Sequence, residues 1–293
     1  MRKRNWRHYN KALVQRGSLT FLIDPKSFKQ MKPKQRKRPG RPLAFSDELI
    51  FVLLMIKTHF KLPYRMLEGF TKSILNGLFL PTYSLICKRA IKLHRNLPKL
   101  SSKRPHTILV DSSGIKVFGE GEWKVKVHGK GRPRKWIKVH LAIDAKTQEI
   151  VGELTTDSAV GDPTAFPSLF TQVNCKVKEV LADGAYDSSE IRDLIKKQGG
   201  KALIPPPKNG VYTGRDPDRD RAVLAIRAFG GDKMARSIWG KLTGYSRRAL
   251  VETTFSRYKK MFGEKAFSRT YERQIVENRL KCLLMNKMIR GAV

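Results

Sequence analysis

The chain has 293 residues, 40% of them hydrophobic, enough for one large domain with one or two small ones. Sixty Lys and Arg oppose 25 Asp and Glu, a net charge of +35, so the expected partner is a polyanion, and nucleic acid above all, with steeply salt-dependent binding. Cys87, Cys175 and Cys282 form no C-x-x-C pair, which excludes a zinc ribbon and a disulfide framework and fits a reducing cytoplasm.

In chain order, residues 1–43 read as a basic, flexible arm. Fourteen Lys and Arg fall within 1–45 against one acid, Asp24, and MKPKQRKRPGRP (31–42) has three prolines and no means of packing a core. No apolar segment of the kind a signal peptide carries follows the basic start. Arg38 and Arg41 are placed to track a phosphate backbone through the minor groove. Residues 44–100 read as a small all-α domain. Ser46 is an N-cap, followed by Leu49, Ile50, Leu53 and Leu54 at helical spacing. Leu62-Pro63 opens a second helix with Leu67 and Phe70. Leu80-Pro81-Thr82 opens a third with Ile86, Ala90 and Leu93. Three short helices with a tight turn before the last suit a helix-turn-helix, and Lys88, Arg89 and Lys92 give that last helix a basic, DNA-facing side. The longest apolar run, 49–56, is far short of the ~20 residues of a membrane span.

From 101 to 293 the pattern is that of an α/β domain. ILVDSSGIKVFG (108–119) and WIKVHLAIDAKTQEIVGELTTD (136–157) read as three consecutive strands, with Lys146-Thr147 in the hairpin turn. Helix 164–173, a short buried strand at EVLADGAYD (179–187), helix 189–198 and strand 201–204 follow. Three strands and then alternating helix and strand is the order of an RNase-H-like core. Residues 205–243 read as an insertion or a long loop before two strong helices at 245–262 and 271–289. Between the first two strands lies a dense basic loop whose Lys130, Arg132, Arg134 and Lys135 are candidate phosphate contacts.

The acids differ in setting. Asp111 interrupts an apolar strand, where a carboxylate is costly unless paired or bound to a cation. Asp183 ends a buried strand, the position where α/β sheets bind ligands. At ~100° per residue, Tyr245, Arg248, Glu252 and Lys259 fall on one helical stripe, beside the stripe of Val251, Phe255, Tyr258 and Phe262 that faces the sheet. Glu252 therefore sits at the edge of the packed face between two cations, and Arg248 and Lys259 can reach phosphates. An ordinary i,i+4 ion pair on a solvated helix satisfies the same spacing. Asp144, Asp157, Asp162 and Asp187 lie near strand ends; Asp157 and Asp187 suit turn capping better than orienting a ligand of the site. His128 and His140 lack metal-ligand spacing. Trp239 suits core packing better than stacking on an unpaired base.

Tyr245-x2-Arg248-x3-Glu252-x6-Lys259 resembles, at every position, the signature of the bacterial insertion-sequence DDE transposases of the IS-four/IS-five superfamily. VDSSGIKVFGEGEW (110–123), KWIKVHLAIDAKTQEIV (135–151) and LADGAYD (181–187) resemble the first- and second-aspartate regions of its IS-five branch, and the likeness spans roughly residues 40–290. The resemblance implies an RNase-H-like core and a catalytic, metal-binding triad of Asp111, Asp183 and Glu252. It implies two Mg²⁺ ions, with Mn²⁺ able to substitute, and Tyr245, Arg248 and Lys259 as DNA contacts. It implies double-stranded DNA, both terminal inverted repeats and target, as substrate, a homodimer or larger synaptic assembly, and a cytoplasmic, nucleoid-associated site of action without a membrane. Two other readings are a nuclease of the same fold that performs no strand transfer and a domesticated DNA-binding regulator. The complete triad argues against the second.

Overall fold

The computed structural model describes residues 5–18, 44–75, 79–93, 97–100, 106–117, 135–174 and 176–290. The chain divides into two compact units, Met1–Lys99 with Ser268–Val293, and Leu100–Phe267.

Within the first unit, α1 (Trp6–Arg16) lies inside the stretch expected to be a flexible arm. Asn5 makes the difference: its Oδ1 accepts the His8 N–H at 3.1 Å and starts a helix free of proline. The all-α reading of the next stretch matches α2 (Asp47–His59), α3 (Tyr64–Ile74) and α4 (Tyr83–Leu93). Ser46 Oγ caps α2 by accepting the Leu49 N–H at 3.1 Å, and Asp47 and Glu48 complement its positive end. Eight of its thirteen residues are buried, so α2 is the central helix. On α4, Ile86, Ala90 and Leu93 are buried. Arg89 does not join Lys88 and Lys92 on an exposed basic side, as expected from sequence. It is 9% exposed, and its guanidinium donates to the Phe45 carbonyl and the Asp47 carboxylate, tying α4 to the start of α2.

The second unit is built on a mixed sheet in the order β3-β2-β1-β4-β5. Strands β1 (Thr107–Val117), β2 (Trp136–Asp144) and β3 (Ile150–Asp157) form an antiparallel meander. Asp144 stabilises its hairpin turn by accepting the Lys146 N–H and the Thr147 hydroxyl, and Gln148 takes φ 59°. The chain then crosses through α5 (Asp162–Phe170) to β4 (Glu179–Leu181), and through α6 (Ser189–Lys197) to β5 (Lys201–Leu203), both strands parallel to β1. This is the RNase-H-like order expected from sequence. Ile108 and Val110 of β1 meet Phe166, Leu169 and Phe170 of α5 and Ile191 and Ile195 of α6 in one buried cluster.

Of the two readings of 205–243, an insertion or a long loop, the stretch is a folded insertion. It holds α7 (Pro217–Ala228) and α8 (Lys233–Thr243). Asp216 caps the first by accepting the Asp218 and Arg219 N–H groups, and Asp232 caps the second by accepting the Ala235 N–H at 2.7 Å. Gly244, at φ 73°, ends α8 in the left-handed conformation glycine favours. A 3₁₀ turn, Tyr245–Arg248, then leads into α9 (Ala249–Phe262), whose Val251, Phe255, Tyr258 and Phe262 are buried. A short strand, β6 (Lys265–Ala266), pairs in parallel with the end of β1.

The final helix, α10 (Tyr271–Arg290), was expected to complete the catalytic domain. It packs instead against α2 and α4 in the first unit. Val276, Leu280, Leu284, Met285 and Met288 are buried there, with a buried Lys281–Glu277 pair at 2.8 Å. No described helix is long and apolar enough to cross a membrane.

Candidate active site

The register of the sheet brings the two aspartates together. Leu109 of β1 is paired in parallel with Leu181 of β4. Asp111 and Asp183 each follow that pair by two residues, on the same sheet face because side chains alternate. Beyond Leu109 the β4 edge of β1 carries no described strand partner until Lys116 meets β6. Asp111 lies in that gap. Asp183 Oδ1 accepts the Ala185 N–H at 3.0 Å and caps a 3₁₀ turn, Gly184–Tyr186.

Glu252 arrives from α9 and is joined to Asp111 by a single guanidinium. Arg248 Nη1 stands 3.1 Å from Asp111 Oδ2, and its Nη2 stands 2.5 Å from Glu252 Oε1. A cleft of about 500 Å³ opens here, lined by Asp111, Ser113, Glu252, Phe255, Lys259 and Glu264. Burial pushes the Asp111 carboxyl above the usual carboxylate range. The Ser112 N–H and Arg248 oppose that rise, and the negative charges of Asp183 and Glu252 add to it.

Three carboxylates form a hard-oxygen donor set suited to a divalent cation such as Mg²⁺. Among the described residues no three acidic, His or Cys side chains close on a common point. Asp111 and Glu252 are instead bridged by Arg248. The oxygen chemistry of these acids is of the kind a hard divalent ion takes.

The other expected contacts separate into groups. Lys259 lines the cleft together with Lys260, which sequence reasoning passed over although it adjoins Lys259. Arg248 turns inward to the acids. Tyr245, expected beside Glu252 on one stripe, donates its hydroxyl to the Ala182 carbonyl at 3.2 Å, next to Asp183. Burial pushes that hydroxyl up to about 12. Its ring lies 5.4 Å from Trp239, tilted by 41°, and Trp239 is 4% exposed, packed rather than offered to a base. Lys88, Lys92 and Lys135 are exposed, whereas Arg89 is spent inside the first unit. Lys130, Arg132, Arg134, Arg38 and Arg41 lie outside the described residues. Asp187 is a structural clamp, held by Arg192 Nε at 2.7 Å and Arg219 Nε at 3.1 Å. Asp162 is the residue whose surroundings the sequence did not foretell: Ser112, Lys138 and His140 converge on it from two strands.

A family model described as a transposase DDE domain matches residues 102–287, and a second of the same description matches 14–120. Among solved structures, the chain is similar to a piggyBac transposase synaptic complex with hairpin DNA, at 9% identity, 94% of this chain, 75% of that chain and a TM-score of 0.45. It is also similar to the Mos1 strand transfer complex, at 8% identity, 89% of this chain, 82% of that chain and a TM-score of 0.23. At identities this low the family rests on the sequence match, which covers well over half of the chain and takes in Asp111, Asp183 and Glu252. The chain belongs to the DDE transposases, the enzymes that move DNA segments.

Proposed function

We propose that this transposase binds the terminal inverted repeats of an insertion sequence of the IS-five branch, cleaves the DNA at the element's ends and joins the freed 3′-hydroxyl to target DNA. The observation that carries the reading is the pairing of Asp111 with Glu252 through Arg248, beside Asp183 on the neighbouring strand. A net charge of +35 supplies the sequence-independent attraction to the backbone.

Membership of the family implies dependence on a divalent metal. In this reading Asp111, Asp183 and Glu252 would hold two Mg²⁺ ions, which supply activation of the attacking oxygen and neutralisation of charge at phosphorus when bound. The residues of the chain do the remainder. Arg248 releases the acids and turns to a phosphate oxygen, for which a guanidinium is a bidentate partner. Lys259 and Lys260 neutralise the backbone along the cleft. Tyr245 and Trp239 keep the strand end that carries Asp183 in place. Two displacements at phosphorus, first by water and then by the 3′-hydroxyl, complete the reaction, with no covalent protein intermediate. Joining two ends calls for a dimer or larger assembly.

The test incubates the full chain with a labelled element end, supercoiled target DNA and Mg²⁺. Joined product is expected, and its loss in the Glu252→Gln variant ties it to the triad. Cleavage with no joined product would replace this reading with that of a nuclease.

A further inference from the structure

Asp111 and Ser112 are neighbours on β1 whose side chains face opposite sides of the sheet. Ile108 and Val110 mark the face packed on α5 and α6, so alternation places Ser112 on that side and Asp111 on the other. Ser112 is bound at both of its polar groups. Its N–H donates to Asp111 Oδ1 at 2.8 Å. Its hydroxyl donates, through to the far side of the strand, to Asp162 Oδ1 at 2.9 Å. One residue therefore holds the first catalytic carboxylate from above and is itself held from below.

Asp162 is well anchored for this work. It lies in the first turn of α5, whose positive end favours a carboxylate. Lys138 Nζ approaches it at 3.1 Å and also donates to the Val160 carbonyl at 3.2 Å. His140 Nδ1 is 3.7 Å away, and the other ring nitrogen of His140 is 2.8 Å from Thr156 Oγ1. The Tyr186 ring packs edge-on against Phe166 of α5, and its buried hydroxyl stands beside Ser112 without a hydrogen bond of good geometry. Two strands and a helix thus fix the oxygen to which Ser112 is tied. The β2 edge of β1 is paired through Asp111 and Ser112, but beyond Leu109 its β4 edge lacks a described strand neighbour until Lys116, and this tie adds constraint on that open side.

We propose that Ser112 and Asp162 are positioning residues for the transposition chemistry: Asp162 anchors the Ser112 hydroxyl, and the Ser112 N–H sets the orientation of the Asp111 carboxylate. The inference rests on the reading of Asp111 as a metal-holding catalytic acid. Groups that orient a metal ligand in this way change metal affinity or turnover by about 10–100-fold when removed.

The experiment uses the full chain and four variants: Ser112→Ala, Ser112→Thr, Asp162→Asn and Asp111→Asn. Mn²⁺ binding without DNA is measured by calorimetry, end cleavage gives kcat and KM, and thermal melting confirms folding at the assay temperature. Ser112→Ala and Asp162→Asn should weaken Mn²⁺ binding and lower kcat by about tenfold or more, with KM for the DNA end unchanged. Ser112→Thr keeps the hydroxyl on a strand that tolerates β-branching and should restore both. Wild-type Mn²⁺ affinity in Ser112→Ala and Asp162→Asn, or a threonine variant no better than alanine, overturns the proposal. A variant melting below the assay temperature is assayed in the cold, where the same comparison decides. Unchanged Mn²⁺ binding and cleavage in Asp111→Asn would instead overturn the reading of the site itself.

Discussion

Arg248 bridges two of the three candidate metal-holding acids, and replacing it with glutamine tests whether guanidinium and metal would compete for them. In the wild type its guanidinium spans Asp111 and Glu252 at 3.1 and 2.5 Å. The two halves of the bridge are unequal. The Asp111 side is mostly buried, with side chains 19% and 23% exposed, and a charged hydrogen bond in such a setting contributes about 1.5 kcal/mol, the low end of its range. The Glu252 side is 57% exposed and is an i,i+4 helix pair contributing only about 0.3–0.5 kcal/mol. Glutamine recovers part of the first contact, so the Arg248→Gln variant should lose about 1–2 kcal/mol, or about 2–8 °C in melting temperature for a unit of this size. The same contacts must be surrendered when a divalent ion takes the acid oxygens. Their absence should therefore tighten Mn²⁺ binding, without DNA, by about 5–30-fold. Calorimetric melting in chelator and Mn²⁺ titration of the same preparations read the two effects with opposite signs: a less stable apoprotein that binds metal better. Mn²⁺ affinity equal to or below that of the wild type would refute the view that guanidinium and metal compete for one place.

The remaining predictions concern charge elsewhere. Asp111 is held above its ordinary range, so the folded chain binds its proton more tightly than the unfolded chain, and this group costs stability as pH rises through its titration. Asp111→Asn should abolish cleavage and lessen the fall in melting temperature as pH rises through the carboxylate range; an unchanged pH dependence would contradict the assignment. His140 is pushed down to about 4, chiefly by burial, so the unfolded chain binds the extra proton between pH 4 and 6.5. Stability should decline as pH falls through that window by up to about 3 kcal/mol, and the pH dependence of melting should flatten in His140→Gln. Arg192, 1% exposed, pairs with Asp187 and reaches the Ile204 carbonyl. Arg192→Met should remove one of the two guanidinium groups that hold Asp187, with Arg219 remaining, and destabilise the protein by about 1.5–3 kcal/mol, seen in denaturant melts. Removing Lys88 and Lys92 together should reduce the slope of log affinity against log salt by about 2 with folding intact, whereas Arg89→Ala should lower the melting temperature of the protein.

What could be read from sequence was whatever depends on local period and local capping. The meander and the β4 and β5 strands announced themselves because each is a short apolar run bounded by turn residues, and the acids at 111 and 183 stood out against that background. The insertion helices were present in the same kind of signal, Asp216 before Pro217 and Asp232 before Lys233. They were passed over because α7 buries little apolar surface, only Ala222, Val223 and Ile226, too little to show a face. Contacts between distant segments were beyond reach. Nothing near Asp162 indicates that Ser112 and Lys138 lie within 3.1 Å of it. A last helix buried on several sides shows that it must be surrounded without showing by what, and α10 joined α2 and α4.

The triad helix shows how a correct reading of one residue misplaces its neighbour. A uniform ~100° per residue puts Tyr245, Arg248, Glu252 and Lys259 on one stripe, and for Glu252 and Lys259, both within α9, that holds: both line the cleft. Residues Tyr245–Arg248, however, form a 3₁₀ turn following the left-handed Gly244. Such a turn advances about 120° per residue, so its three steps accumulate about 60° of slip relative to an α-helix. That slip carries the Tyr245 side chain off the acid stripe and onto the Ala182 carbonyl, with Trp239 against its ring. Arg248, at the junction, keeps the i,i+4 relation to Glu252 and gains Asp111. The four signature residues thus separate by local geometry: Glu252 and Lys259 line the cleft, Arg248 bridges Asp111 and Glu252, and Tyr245 donates to the Ala182 carbonyl next to Asp183.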